Sequence, residues 1–170
     1  TKERWKRCDA KLRSRIFGAK SIIRILEMTN QEILSKLPYS KPFLFVDEIT
    51  SINENGVEGT YLYEASLDFY KGHFKDNPVT PGVILTETMA QIGLVCLGIY
   101  ILKDSFKYDS VIALTSSEIE YLKPVYPDHK VRVVSEKVYF RFNKLKCRVS
   151  MFNQANEEVC RGTIAGMIIS

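Results

Sequence analysis

Histidine is scarce in these 170 residues: only His73 and His129 occur, and the four cysteines (Cys8, Cys96, Cys147, Cys160) stand far apart with no C-x-x-C pair. Metal centres need closely grouped His and Cys ligands, so no metal is expected, and nothing calls for another cofactor. Scattered cysteines are usually small core residues, which makes free thiols in a cytoplasmic protein the expectation. The chain also lacks internal repeats, low-complexity tracts and the apolar h-region of a signal peptide. A large charge excess is missing from most of it too. The formal +4 is concentrated at one end: residues 1–27 hold nine Lys/Arg and three Asp/Glu (+6), which leaves 15 basic and 17 acidic residues (−2) for 28–170. A nearly neutral body without a basic, aromatic-studded stripe argues against a nucleic-acid partner.

What is present suits one soluble domain. The hydrophobic fraction is 45% and the charged fraction 26%, ordinary values for a globular protein long enough to bury one core. Residues 1–27 read as a basic N-terminal extension and Met28 as the natural start of a 28–170 domain. Thr29 or Asn30 can cap a short helix carrying Ile33, Leu34 and Leu37, which Pro38 stops. Pro42–Ile49 (PFLFVDEI), rich in aromatic and β-branched residues, reads as a first strand. Asn53–Gly56 is a turn signal, and residues 57–64 form the second strand. Four longer strands follow at 111–121, 131–142, 145–153 and 158–169. In the second of these the apolar phase settles on Val138, Phe140 and Phe142, as a half-buried antiparallel strand requires. Asn143-Lys144 and Asn153–Asn156 are expected hairpin turns.

Between the second and third strands lies a different element. Thr80-Pro81 is a good helix opening, with Thr as cap and Pro in the first turn. The stretch 83–102 (VILTETMAQIGLVCLGIYIL) is apolar on almost every side. Glu87 and Gln91 fall inside it, and the strands need an apolar cover of their own. A buried helix is therefore expected rather than a membrane span. The architecture is α+β: one antiparallel sheet wrapped around one long helix.

The segment from Tyr70 to Val83 (YKGHFKDNPVTPGV) puts a histidine in a Gly/Pro-rich loop just before that helix begins. The helix N-terminus offers unpaired N–H groups and partial positive charge, suited to a developing oxyanion such as a thioester enolate. Gly82, lacking a side chain, lets a ligand approach those donors. Glu87 lies one to two turns further in, where desolvation penalises a charged carboxyl and favours the acid form. A neutral His as base and a protonated Glu as acid suit β-elimination. The residues alone leave both roles open: a loop histidine is often merely solvated, and Glu87 could be satisfied by Gln91.

The block Gly72-His73-Phe74, Pro78-Val79, Pro81-Gly82-Val83, Glu87, Ala90-Gln91 resembles the FabZ family of 3-hydroxyacyl-[acyl carrier protein] dehydratases. Leu37–Asp47 and Lys123–Pro127 are similar to flanking stretches of the same family, so the resemblance covers roughly 30–169. It implies a hot-dog fold, dehydration of a 3-hydroxyacyl carrier-protein thioester to the trans-2-enoyl product, and His73 and Glu87 as the catalytic pair. It also implies a substrate-binding surface of Phe74, Pro81, Gly82, Val83 and Gln91, with Gly82 N–H on the thioester carbonyl. Implied partners are an acyl carrier protein and a second copy of the chain. The homodimer would share each site, His73 from one chain and Glu87 from the other, and could assemble as a trimer of dimers. The related FabA enzymes, which also isomerise the double bond, carry Asp at the position of Glu87, so dehydration alone is expected. Tyr39-Ser40-Lys41, Thr80 and Asp128-His129 depart from the family's pattern near the acyl tunnel, which leaves chain length and pathway open. The competing readings are a hot-dog thioesterase and a non-catalytic acyl-binding subunit.

Overall fold

The computed structural model describes residues 28–107 and 109–169; the expected extension, 1–27, lies outside the described residues. The apolar stretch after Pro81 is helical throughout. α2 (Gly82–Ala90) runs into a π-helical turn (Gln91–Cys96) and then α3 (Leu97–Leu102). This central helix is long and apolar enough to cross a membrane, but it is buried inside the protein. Every residue from Thr88 to Tyr100 is buried, which is why the sequence shows no polar face there.

The cover is a six-stranded antiparallel sheet of β1 (Glu48–Asn53), β2 (Gly56–Tyr63), β3 (Val111–Tyr121), β4 (His129–Arg141), β5 (Lys144–Phe152) and β6 (Glu158–Ile169). Its spatial order is β1-β2-β4-β5-β6-β3, so β1 and β3 are edges. The helix packs Ile92, Leu94, Leu97 and Ile99 against Val57, Val133, Leu145, Val149 and Ile164 of the sheet. Each such fully buried side chain contributes about 1.5–3 kcal/mol of transfer free energy. Gly93 makes the close approach possible: a Cβ there would stand 3.0 Å from both Ser135 Cβ and Val149 Cγ1. Ser135 Oγ donates to the Gly93 carbonyl at 2.7 Å, bolting sheet to helix.

The expected short helix is α1 (Asn30–Ser35). Thr29 caps it in a reciprocal box with Glu32, and Leu37 falls beyond its end. The first strand is shifted. Pro42–Asp47 is turn, bend and irregular chain rather than strand, and β1 starts only at Glu48. The reason is where its backbone bonds go: Phe45 N–H and the Phe43 carbonyl are taken by the Gln91 side chain instead of a neighbouring strand. The phase change in β4 has a cause as well. Val131, Val133 and Ser135 face inward, a bulge lies between Lys137 and Tyr139, and beyond it Phe140 packs on the core. The β4–β5 turn sits one residue earlier than expected, on Phe142 and Asn143, both with positive φ (52° and 58°), and leaves Phe142 93% exposed.

Candidate active site

The loop carrying His73 is tied at both ends. A 3-10 turn (Asp68–Lys71) leads in, and the Phe69 carbonyl accepts from His73 N–H at 2.9 Å. At the other end Thr80 N–H donates to the Val125 carbonyl at 2.8 Å, and the Thr80 and Tyr70 hydroxyls are 2.5 Å apart. Thr80 is thus occupied by Tyr70 and does not cap the helix; Pro81 holds the cap position, without a side-chain bond. Across the loop, Val79 N–H donates to the His73 carbonyl at 2.9 Å.

The imidazole is oriented by the same strand of loop. His73 Nδ1 lies 2.9 Å from the Val79 carbonyl. A carbonyl can only accept, so Nδ1 carries the hydrogen and the lone pair of the neutral ring is on Nε2. The ring stacks on Phe74 with centroids 4.0 Å apart. A neutral imidazole held in this tautomer is a competent base at Nε2.

His73, Phe74, Gly82, Leu85, Tyr121 and Lys123 line one cleft of about 470 Å³. The start of α2 forms part of its wall. Ile84 and Leu85 N–H both turn back to the Pro81 carbonyl, which leaves the N–H groups of Gly82 and Val83 without partners inside the helix. Tyr121 covers this end: its ring would be 3.1 Å from a Cβ on Gly82, and its hydroxyl is 2.7 Å from Thr86 Oγ1. Phe74 and Val83 leave 58% and 73% of their surface in solvent beside the cleft, large apolar exposures of the kind that mark a contact surface. A larger hollow of about 650 Å³ lies on the outer face of the sheet among Glu118, Arg148 and Arg161. Its two arginines are spent on surface ion pairs, Arg161 with Glu120 and Arg148 with Glu136, so chemistry, not size, singles out the His73 cleft.

Glu87 does not line that cleft. It lies one turn beyond Val83, half-buried, and accepts from Gln91 Nε2 at 2.8 Å. Tyr39 is nearby: burial first, and then the charge of Glu87, push its phenol up to about 12. The chain therefore brings His73, Phe74 and Gly82 together, and sets Glu87 and Gln91 apart with Phe43 and Phe45. Pro81 is buried as the helix cap. Among the described residues no group of three His, Cys, Asp or Glu could hold a metal ion. Sequence reasoning missed Tyr121 and Thr86. They are 35 residues apart, and no local pattern pairs them.

The FabA-like domain family matches residues 37–155, most of the chain. The curated FabZ 3-hydroxyacyl-[acyl-carrier-protein] dehydratase of Caldicellulosiruptor bescii is 31% identical over 138 residues, 78% of this chain and 93% of that protein. The chain belongs to the FabZ family. The FabZ dehydratase of Magnetococcus marinus is 36% identical over 105 residues, 61% of this chain and 67% of its own. Among solved structures, the dehydratase heterocomplex ApeI:P from Xenorhabdus doucetiae superposes with a TM-score of 0.68 at 11% identity, covering 85% of this chain and 93% of that one. A hypothetical thioesterase from Streptococcus pneumoniae, solved with coenzyme A, gives 0.55 at 21% identity, over 72% and 85% of the two chains. These likenesses establish the hot-dog fold and say nothing of the reaction.

Proposed function

We propose that this FabZ-family chain dehydrates a 3-hydroxyacyl thioester on an acyl carrier protein to the trans-2-enoyl thioester, in the synthesis of a fatty acid or a related acyl chain. The observation that carries the reading is a histidine whose tautomer is fixed by the Val79 carbonyl, set in one cleft with the N-terminus of the central helix. In the reaction His73 Nε2 takes a proton from C2. The C–H electron pair moves towards the thioester carbonyl, where the Gly82 N–H faces the developing negative charge. The pair then returns to form the C2–C3 double bond as the C3–O bond breaks. Glu87 gives its proton to the departing hydroxyl, which leaves as water. Phe74 and Val83 offer apolar surface to the acyl and pantetheine chain.

The reading extends to assembly. Glu87 lies outside the His73 cleft of its own chain, which supports a homodimer whose sites each combine the two groups from different chains. β3, an eleven-residue edge strand, offers a long unpaired ladder for a second copy. Three such dimers would form the hexamer. Cys96, Cys147 and Cys160 are free and buried, in keeping with a cytoplasmic enzyme, and residues 28–170 would form the working unit.

The decisive experiment presents 3-hydroxyacyl carrier protein of several chain lengths to the purified chain. Conjugated enoyl absorbance should rise without release of carrier thiol. Thiol release without enoyl product would make the chain a thioesterase, and neither signal would make it an acyl-binding subunit.

A further inference from the structure

Tyr121 is the last residue of β3 and keeps 51% of its surface in solvent, yet both its backbone and its hydroxyl are held. The backbone lies opposite Cys160 of β6, and just beyond it the N–H groups of Leu122 and Lys123 share the Val159 carbonyl at 2.8 and 3.1 Å. The hydroxyl is 2.7 Å from Thr86 Oγ1, which itself donates to the Gly82 carbonyl at 3.2 Å. The hydrogens of this relay can run only one way. The Gly82 carbonyl only accepts, so the single Thr86 hydrogen goes there, and Thr86 must take the hydrogen of Tyr121. The phenol oxygen therefore offers the cleft lone pairs and no hydrogen. A ligand can meet it only with a donor.

The neighbours say which donor. The Tyr121 ring packs on Gly82, with Cε1 and Cζ 3.1 Å from where a Cβ would stand, and both residues line the His73 cleft. A thioester whose carbonyl sits on the Gly82 N–H has two donors close to it. One is the C3 hydroxyl on the acyl side; the other, two methylenes beyond the sulfur, is the first amide N–H of the pantetheine arm. The C3 hydroxyl has to meet Glu87, which lies outside this cleft. The arm runs the other way, out to the carrier protein, and Tyr121 is followed by exposed Leu122 and Lys123 on the cleft wall. We propose that the Tyr121 phenol oxygen accepts the hydrogen bond of that amide N–H, so that ring and oxygen together seat the thioester on the Gly82 donor. This rests on the dehydration reading of the same cleft. The oxygen is fixed before the ligand arrives, so the bond costs little ordering.

The test charges carrier protein with the 3-hydroxyacyl pantetheine, or with an analogue in which an ester replaces the amide nearest the sulfur, keeping the shape and removing the N–H. The wild-type chain should prefer the amide by about three- to tenfold in kcat/KM, the range of one net hydrogen bond. The difference should lie in KM, because the arm is bound alike before and during the reaction. Tyr121→Phe keeps the ring and removes the oxygen, and should bring the ratio of the two substrates to about one. Thr86→Val releases the phenol hydrogen, so the oxygen can turn and donate to the ester; the ratio should fall there too. A wild-type chain that does not distinguish amide from ester would overturn the proposal. So would a ratio unchanged in Tyr121→Phe, since lost ring support or a lost contact to the C3 hydroxyl affects both substrates equally. Absence of enoyl product from the amide substrate in the wild-type chain would instead be a failure of the dehydration reading, visible before any variant is made. If Tyr121→Phe does not fold, Thr86→Val decides by the same ratio.

Discussion

Two dead variants should restore each other. His73 shares a cleft with Gly82 of its own chain, and Glu87 of that chain does not reach the cleft wall. Fourteen residues and a Pro-Gly turn separate the two, so helical spacing cannot bring them together. If a working site takes His73 from one chain and Glu87 from the other, a dimer of one His73→Ala and one Glu87→Gln chain has one doubly faulty site and one intact site. Random exchange of equal amounts gives about half heterodimers, each with one good site of two, hence about a quarter of wild-type activity. Each variant alone loses the contribution of a general acid or base, at least about 10²-fold, so the mixture should stand about 25-fold above either component. Co-refolding the chains and following enoyl absorbance measures this, with a size or charge tag on one variant to prove exchange. A mixture that stays as inactive as its parts after proven exchange would refute the shared site and require both groups from one chain.

Carrier-protein docking should rest on Lys41 and Lys75, two of the four lysines that flank the motif segments. The other two, Lys71 and Lys123, are paired with Asp68 and Glu157 at 2.6 and 2.5 Å, whereas Lys41 and Lys75 make no ion pair among the described residues. Reversing the charge of both should raise KM several-fold and flatten its salt dependence; an unchanged KM places docking elsewhere. Burial pushes Cys96 and Cys160 up to about 12 and Cys147 to about 11. A native Cys8→Ser chain should thus leave all three unmodified by a thiol reagent at pH 8 and expose all three when unfolded; native modification would contradict the packing. Burial, then the charge of Asp47, raises Tyr61 from 10.0 to about 12, and burial drives Tyr63 well above its usual value. The folded state prefers the neutral phenols, so their stabilising contribution is intact below pH 10.0 and is lost as pH rises through about 12. Tyrosinate absorbance for these residues should appear together with loss of circular dichroism; ionisation near 10 in a folded chain would show them solvated.

The helix was legible because its signals are local. Pro81 opens it, and an apolar stretch with no polar face can satisfy itself only by being covered on every side. The His73–Glu87 block was legible as a pattern, and the histidine's loop setting followed from its Gly and Pro residues. What sequence could not supply were pairings across long separations. Pro42–Asp47 has strand composition, yet Gln91, 46 residues from Phe45, takes the backbone bonds of Phe43 and Phe45 that a neighbouring strand would need. The tie of Tyr121 to Thr86 is equally non-local. In β4 a phase change was visible, but of the three residues expected on the apolar face only Phe140 packs on the core; Val138, at the bulge, is 49% exposed and Phe142 lies in the turn, because the bulge is a property of the pairing with β5.

The fold alone cannot have chosen the reaction, since dehydratase and thioesterase chains share it. Polar groups are placed sparingly on a helix whose packing is mostly apolar. Burying Gln91 and half-burying Glu87 beside Phe43 and Phe45 costs desolvation that Leu or Met would avoid. Each is matched by a fixed partner: Gln91 by two backbone groups, and Glu87 by Gln91. On the other side of the same helix, its N-terminal N–H groups are left without helical partners in the wall of the His73 cleft. Gly93 and Ser135 lock that helix to the sheet, so core packing, not loop flexibility, sets where both the donors and the carboxyl stand. A histidine anchored through Val79 and an oxyanion site set in one cleft, with the carboxyl held apart further along the same helix, match what the proposed elimination needs: a base and a charge stabiliser at fixed spacing, and an acid that a second chain would bring to them.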